Sequence, residues 1–324
     1  MMNLPANRYQ FNFAVETPLH LNFYSGSMLR GAFGHALRQL SCMTKMADCK
    51  ACPLYRTCPY PAIFETPPPE HHSLQAFSEI PPPYIIEPPP LGSKDYRPGD
   101  ILSFSMVLIG RAIQQLPLII YAWQRALARG QGKFQSQARL LDVALVPNQA
   151  QKEPGEHVII YTAREGASVI NHDHLSNKDR IDYSDETIES VTLNIKTPLR
   201  IRKKGQTLSH AMSGRDFIMA LVRRYYLLEE FHTPDYQAPD FSELAELARA
   251  VTCETHFRWC DWARYSNRQQ QKMVLGGVLG ELTLTGQLQP FLPLIQIGQW
   301  LHAGNKTTFG MGLYTIEKTG EQLM

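Results

Sequence analysis

No apolar stretch in this chain is long enough to cross a bilayer. The longest clean run, Leu116 to Trp123, falls far short of the ~20 residues that a membrane helix needs. Net charge is scarce too: the formal sum over 324 residues is +2, so overall charge argues neither for nor against a nucleic-acid partner. No cationic n-region followed by an apolar h-region opens the chain. The cysteines number six, and four of them crowd into one short stretch rather than spreading through the sequence as a disulfide framework would. These absences exclude a membrane span and lead to the expectation of a cytoplasmic protein without a membrane partner. A length of 324 residues suits about two domains, each able to bury its own core.

The chain partly repeats itself. Glu16-Thr17-Pro18-Leu19-His20-Leu21 has an echo in Lys196-Thr197-Pro198-Leu199-Arg200-Ile201. Each follows an alternating, strand-like run (Tyr9 to Val15; Val191 to Ile195) and precedes a helix-like stretch. Gly99 to Phe104, leading to Leu108-Ile109-Gly110, resembles Gly286 to Phe291, leading to Ile295-Gln296-Ile297-Gly298. A tryptophan follows each (Trp123, Trp300), then a Gly-Lys turn (Gly130-Gln131-Gly132-Lys133; Gly304-Asn305-Lys306). Landmarks recurring in one order point to internal duplication. The expected fold is α+β, with two tandem ferredoxin-like (RRM-like, βαββαβ) domains over residues 1–170 and 187–324.

Between the halves, Pro59 to Pro98 holds twelve of the 23 prolines. Proline lacks an N–H donor, so this stretch is expected to be neither helix nor central strand but extended segments laid across the first domain. With the cysteine stretch it forms an insert over residues 41–98. Asn148 to Gly155 is expected as a loose connection and Ile170 to Glu186 as the interdomain link.

Cys42, Cys49, Cys52 and Cys58 follow C-x6-C-x2-C-x5-C. In a cytosolic chain such clusters bind metal more often than they form disulfides. Four thiolates would saturate a structural zinc ion, and an iron–sulfur cluster uses the same ligand set. Buried free thiols are the plain alternative. No coordination position would remain for water, so this metal would brace the loop and take no part in catalysis.

Charge is unevenly distributed. From Leu193 to Tyr226 eight Lys/Arg stand against Asp216, and the next stretch, Glu229 to Glu246, is acidic. The expectation is one basic face that follows a phosphate backbone, led by Arg200, Arg202, Lys203 and Lys204 at the end of a strand. Near the C-terminus, Gly304-Asn305-Lys306-Thr307-Thr308-Phe309-Gly310-Met311-Gly312 runs into a final apolar segment. Glycines allow close backbone approach, and consecutive amides beside a lysine suit phosphate oxygens. A tight hairpin whose glycines serve only the turn is the alternative.

These features, with the helix Leu29-Arg30-Gly31-Ala32-Phe33-Gly34-His35-Ala36-Leu37-Arg38, resemble the CRISPR repeat-RNA processing endoribonuclease of the RAMP superfamily. Cys58-Pro59-Tyr60-Pro61-Ala62-Ile63-Phe64-Glu65, Arg264-Tyr265-Ser266-Asn267-Arg268-Gln269 and Gly276-Gly277-Val278-Leu279-Gly280 resemble its branch with a Cys-rich insert after the first helix. The resemblance implies cleavage of precursor CRISPR RNA within each repeat. The mature guide then stays bound or passes to other CRISPR effector subunits. RNA would be held by Gly304, Lys306, Gly310 and Gly312, by Arg200, Arg202, Lys203 and Lys204, and by Arg264 and Arg268.

The implied chemistry uses no metal. A ribose 2′-OH attacks the adjacent phosphate and leaves 2′,3′-cyclic phosphate and 5′-OH ends, which calls for a base, an acid and charge-stabilising donors. Histidine suits proton transfer near neutral pH. His35 lies opposite the apolar stripe Leu29, Phe33, Ala36, Leu37 and Leu40, and is the first candidate; a solvated helix residue is the bland reading. Well-known members of the family place the catalytic histidine just after the first helix, where this chain has cysteines. His20 and His302 are the further candidates. Some relatives rely on lysine, which makes Lys45 a fourth. His71-His72 and His172-x-His174 are expected to face solvent. Trp300 and Phe309 are expected to pack in the core. A non-catalytic RNA-binding subunit of a CRISPR ribonucleoprotein remains the alternative, since the fold does not settle function.

Overall fold

The computed structural model describes residues 4–71, 80–128, 136–146, 157–173, 188–203, 205–208, 212–266 and 271–317. Its contacts divide the chain into two compact units, residues 4–178 with 227–234, and residues 1–3, 179–226 and 235–324.

The first unit runs β1 (Ala6–Val15), β2 (Leu19–Leu21), α1 (Gly26–Ser41), α2 (Pro59–Phe64), β3 (Tyr84–Glu87), β4 (Lys94–Tyr96), β5 (Ile101–Ile109), α3 (Leu116–Ala128), β6 (Ala138–Val146) and β7 (Val158–Thr162). Its sheet has the order β3-β5-β1-β6-β7. Without the added edge strand β7, that is the ferredoxin-like order. Alternation along β1 sends Tyr9, Phe11, Phe13 and Val15 into the core. In α1 the residues Leu29, Phe33, Ala36 and Leu37 are buried, as the helical stripe requires, whereas Leu40 is partly covered and His35 is exposed. Trp123 on α3 joins the two layers, its ring 4.6 Å from Phe104 of β5 and 5.1 Å from Phe33 of α1. Such rings bury large apolar areas at the centre of this half.

The second unit runs β8 (Ser190–Leu199), β9 (Arg202–Lys203), β10 (Gln206–Thr207), α4 (Gly214–His232), α5 (Phe241–Leu247), β11 (Thr252–Ser266), β12 (Gln271–Thr285), α6 (Leu292–Leu301) and β13 (Tyr314–Ile316). The end of α4 is counted with the first unit. The sheet order β11-β12-β8-β13 repeats the ferredoxin-like arrangement. The core takes Leu193 and Ile195 from β8, Leu282 and Leu284 from β12, Phe217 and Leu221 from α4, and Ile295 from α6.

Both halves are therefore α+β and ferredoxin-like, as expected. The first landmark marks the end of the opening strand in each. The second landmark was out of register: Gly99 to Phe104 enters strand β5, but Gly286 to Phe291 leads into helix α6. The true counterpart of β5 is β12. Trp123 and Trp300 do occupy corresponding helices, α3 and α6. The first Gly-Lys turn, Gly130 to Lys133, lies outside the described residues, as do 148–155 and most of the expected interdomain link.

The proline-rich stretch also departs from expectation. Pro59–Phe64 is a helix with proline in its first turn, where the missing N–H is no loss. Tyr84–Glu87 is an edge strand of the main sheet, the sheet position that tolerates flanking prolines.

Candidate functional site

In the second unit the end of β8 and the Gly-rich segment are tied together. The Thr197 hydroxyl donates to Gly310 O (2.7 Å) and accepts from Leu313 N–H (2.8 Å). The Gly312 N–H donates to Pro198 O (3.2 Å), and the Asn305 N–H donates to Arg200 O (2.7 Å). Gly304 and Gly312 both have φ +78°, and a Cβ would stand 2.4 Å from Arg200 O at Gly304 and 2.0 Å from Ala303 O at Gly312. Their glycines are thus demanded by backbone packing against the protein itself. Thr307 to Gly312 is buried, while Asn305 and Lys306 are exposed. Gly310 and Gly312 accordingly shape the turn from inside, and Lys306, left-handed at φ 63°, is presented outward.

The basic run is not uniformly exposed. Arg224 is enclosed, with its Nε donating to Leu301 O, and burial pushes its pKa down to about 9. Lys203 pairs with Asp216 at 2.8 Å. Arg202 folds onto Gly205 O in the exposed β9–β10 hairpin. Arg200 is half-buried, with Nη1 donating to Gly276 O at 2.9 Å, and burial followed by the nearby Arg202 lowers its pKa. Lys204 and Arg268 lie outside the described residues; Arg264 sits on β11 opposite Met273.

Trp259 was missed by the sequence reading. It is 39% exposed on β11, its indole N–H donates to Asp261 (2.8 Å), and a Cβ at Gly276 would meet its ring at 2.2 Å. Gly276 therefore lies against Trp259 on one side and Arg200 on the other. Alternation along the strand could not have found it, because Trp259 shares the phase of the partly covered Cys253, Thr255 and Phe257 and yet is exposed.

The histidines separate clearly. His35 is exposed on α1, and the side-chain amide of Gln39 lies 2.8 Å from its Nε2. His20, exposed on the two-stranded ribbon β2–β4, holds Nδ1 2.6 Å from Asp95 Oδ1. His302 is fully enclosed, with Nδ1 3.1 Å from Met311 O, and is removed from the candidates because no substrate can reach it. His172 is buried rather than solvent-facing, bonded to Tyr9 Oη (2.9 Å) and Ile170 O (2.8 Å). His71 is exposed; His72 and His174 lie outside the described residues. Lys45 is exposed and left-handed at φ 56°. Phe309 is buried and Trp300 partly so.

Cys42, Cys49, Cys52 and Cys58 line one cavity of about 20 Å³ with Thr44, Tyr55 and Tyr60. All four are free thiols. Cys52 Sγ lies 3.3 Å from Thr44 Oγ1, and the Cys58 thiol points to Ser41 O at 3.7 Å. Among the described residues no group of three or more Cys, His, Asp or Glu side chains could hold a metal ion. The structural zinc, or iron–sulfur cluster, that the spacing suggested is thus without support in this geometry: the chain gathers the thiols but turns two of them to oxygen partners. Nor is any helix long and apolar enough to cross a membrane among these residues.

Residues 4–174 match the family model for the AF_1859_N N-terminal domain, and residues 193–314 match that of the CRISPR-associated endoribonuclease Cas6. An uncharacterized protein of Archaeoglobus fulgidus is 22% identical over 299 residues, 92% of this chain and 93% of that one. Among solved structures, a Cas6 product complex matches with TM-score 0.55 at 14% identity, covering 96% of this chain and 100% of that chain. Thermus thermophilus Cas6 matches with TM-score 0.51 at 15% identity, over 97% and 99%. A partial Cas6-RT-Cas1–Cas2 complex matches with TM-score 0.53 at 13% identity, over all of this chain and 49% of that one. At such identities the structural likeness is one of fold.

Proposed function

Because the chain belongs to the family of the AF_1859_N N-terminal domain and carries a Cas6 domain of the RAMP type after it, we propose that it is an endoribonuclease that binds CRISPR repeat RNA and cuts precursor transcripts within the repeats. The observation that carries this reading is His35. It stands exposed on α1 while the opposite side of that helix is sunk in the core, so a titratable ring is offered to solvent from a rigid support.

In the proposed reaction the 2′-oxygen attacks phosphorus as the bond from phosphorus to the 5′-oxygen breaks. His35 takes the 2′-OH proton, and a proton must reach the departing 5′-oxygen, giving 2′,3′-cyclic phosphate and 5′-OH ends. Lys45, in the loop that follows α1, supplies positive charge to the phosphorane. His20 is the second candidate for proton transfer. Asp95 fixes its ring through Nδ1 and leaves Nε2 to the outside, the geometry of an oriented general base. In the second unit Lys306, Arg202 and Arg200 would contact phosphates, with Trp259 offering a face for a base. Repeat RNA, and with it other CRISPR proteins, are the partners this reading implies.

Repeat RNA incubated with the protein in EDTA tests the proposal. The expected result is a cyclic-phosphate product, formed roughly 100-fold or more slowly by His35→Ala. Cleavage unaffected by that change but lost in His20→Ala would transfer the role to His20. Intact RNA held in a stable complex would instead make the chain a non-catalytic RNA-binding subunit.

A further inference from the structure

We propose that Trp259 and Arg200 form a subsite for one unpaired nucleotide of an RNA strand, its base stacked on the indole and its phosphate against the guanidinium. The Gly276-Gly277 pair builds it. In the pairing of β11 with β12, Asp261 stands opposite Gly276 and Trp259 opposite Val278. A Cβ at Gly276 would meet the Trp259 ring at 2.2 Å and Asp261 Oδ1 at 2.5 Å. The indole thus fills the place over β12 that any larger residue would occupy. At Gly277 a Cβ would stand 2.7 Å from Leu199 O, so this glycine is demanded by the close passage of β8. One glycine seats the ring, and the other admits the strand end that carries Arg200.

The ring is both fixed and open. Its N–H donates to Asp261 Oδ1 at 2.8 Å, which satisfies the only polar atom of the indole and restrains its rotation. Trp259 nevertheless remains 39% exposed, and Val274, two residues from Gly276 on the same face of β12, is 64% exposed. An apolar strip therefore crosses the hairpin on a sheet support, and an aromatic ring held this way in water suits the stacking of a nucleobase.

Charge decides how the nucleotide lies. The pairing of β12 with β8 reaches Leu199 opposite Val278 and goes no further. Beyond it Gly276 O accepts from Arg200 Nη1 at 2.9 Å, a bond that uses one of the five N–H groups of the guanidinium. Asp261 flanks Gly276 from the β11 side and repels a phosphate, while Arg200 flanks it from the β8 side and attracts one. The phosphodiester accordingly runs on the Arg200 side, toward the Gly-rich turn whose Asn305 N–H donates to Arg200 O. Stacking accepts every base, because each has a π-face, but it needs that face free of a duplex. The subsite thus selects an unpaired nucleotide rather than a sequence. Its assignment to RNA rests on the function proposed above.

The test uses the full chain with repeat RNA and, as a second probe, single-stranded oligoadenylate. Trp259 is the tryptophan most open to a quencher, since Trp123 and Trp262 are buried and Trp300 is partly covered. Either probe should quench the tryptophan emission of the parent, and Trp259→Ala should abolish that quenching. Affinity for both probes should fall roughly fivefold to 100-fold in Trp259→Ala with little change in melting temperature, and Trp259→Phe should restore most of it. The slope of affinity against salt should match the parent in Trp259→Ala. It should drop by about one in Arg200→Gln, which keeps a donor for Gly276 O and loses the charge. A folded Trp259→Ala protein that binds repeat RNA as tightly as the parent overturns the subsite and leaves the RNA function standing. A parent whose emission does not respond to bound RNA overturns it likewise. Quenching by oligoadenylate in a protein that neither binds nor cuts repeat RNA keeps the subsite and overturns that function. Binding of neither probe overturns both.

Discussion

Thr197 carries two hydrogen bonds on one hydroxyl, a buried one to Gly310 O and a partly buried one from Leu313 N–H. Valine has the same shape without the oxygen, so Thr197→Val leaves both backbone groups unpaired inside the second unit. A loss of roughly 2 kcal/mol or more is expected, readable as a lower denaturant midpoint with an unchanged m-value. Gly312→Ala acts in the same place by crowding. Its φ of +78° and a Cβ 2.0 Å from Ala303 O leave no room for a methyl, so destabilisation above about 1 kcal/mol is expected. Either change should also weaken RNA binding if Lys306 is the exposed tip of that turn. Residue identity made the glycines and Lys306 visible in the sequence. Which of them faced outward was not visible, because burial is decided by Thr197, Pro198 and Arg200, more than 100 positions away in the chain. His302 escaped for the same reason: a turn at φ 57° folds it inside.

The Thr-Pro motif at the end of each opening strand has a mechanical explanation. In the first unit the Thr17 hydroxyl accepts from Gln137 N–H (2.7 Å), and Ser136 Oγ donates to Pro18 O (2.7 Å). In the second unit Thr197 and Pro198 hold the segment that enters β13. Each pair clasps the approach to the last strand of its own half, and for this reason the first landmark could be read from sequence. The second could not. A glycine followed by spaced apolar residues suits a strand start and a helix start equally, and Pro290 and Pro293 resolve the ambiguity in favour of a short 3₁₀ turn and a helix only once their places at N1 or N2 are known. Thr17→Val should therefore destabilise the first unit through lost anchorage of β6, by roughly 1 kcal/mol, with amide exchange accelerating first near residues 136–139.

For the whole molecule the clearest pH response lies on the alkaline side. Burial raises the pKa of Tyr9 to about 12, and of Tyr84 likewise to about 12, from the ordinary 10.0. A buried phenol prefers to stay neutral, so the unfolded chain gives up these protons first as pH rises. Stability from these groups is complete below about pH 10 and drains away as pH climbs toward 12. Chemical denaturation at pH 9, 10 and 11 should show the decline, and Tyr84→Phe should flatten it. The repeated sequence pattern reached the right answer at this scale, two α+β halves, because apolar alternation and helical stripes are local properties that a core simply collects. The cysteine cluster shows where that logic stops. Spacing brings Cys42, Cys49, Cys52 and Cys58 around one cavity, but the thiols of Cys52 and Cys58 turn to Thr44 and Ser41 nearby.

β13 is three residues long and shields the outer margin of β8 at Leu193, Asn194 and Ile195. So brief a strand cannot hold its position by its own ladder; the glycine turn before it acts as the latch. Any lesion that springs this latch bares a row of backbone donors and acceptors ready to zip onto another copy. The turn proposed to grip RNA thus doubles as a guard against self-association, and mutations there should be judged by sedimentation as well as by binding.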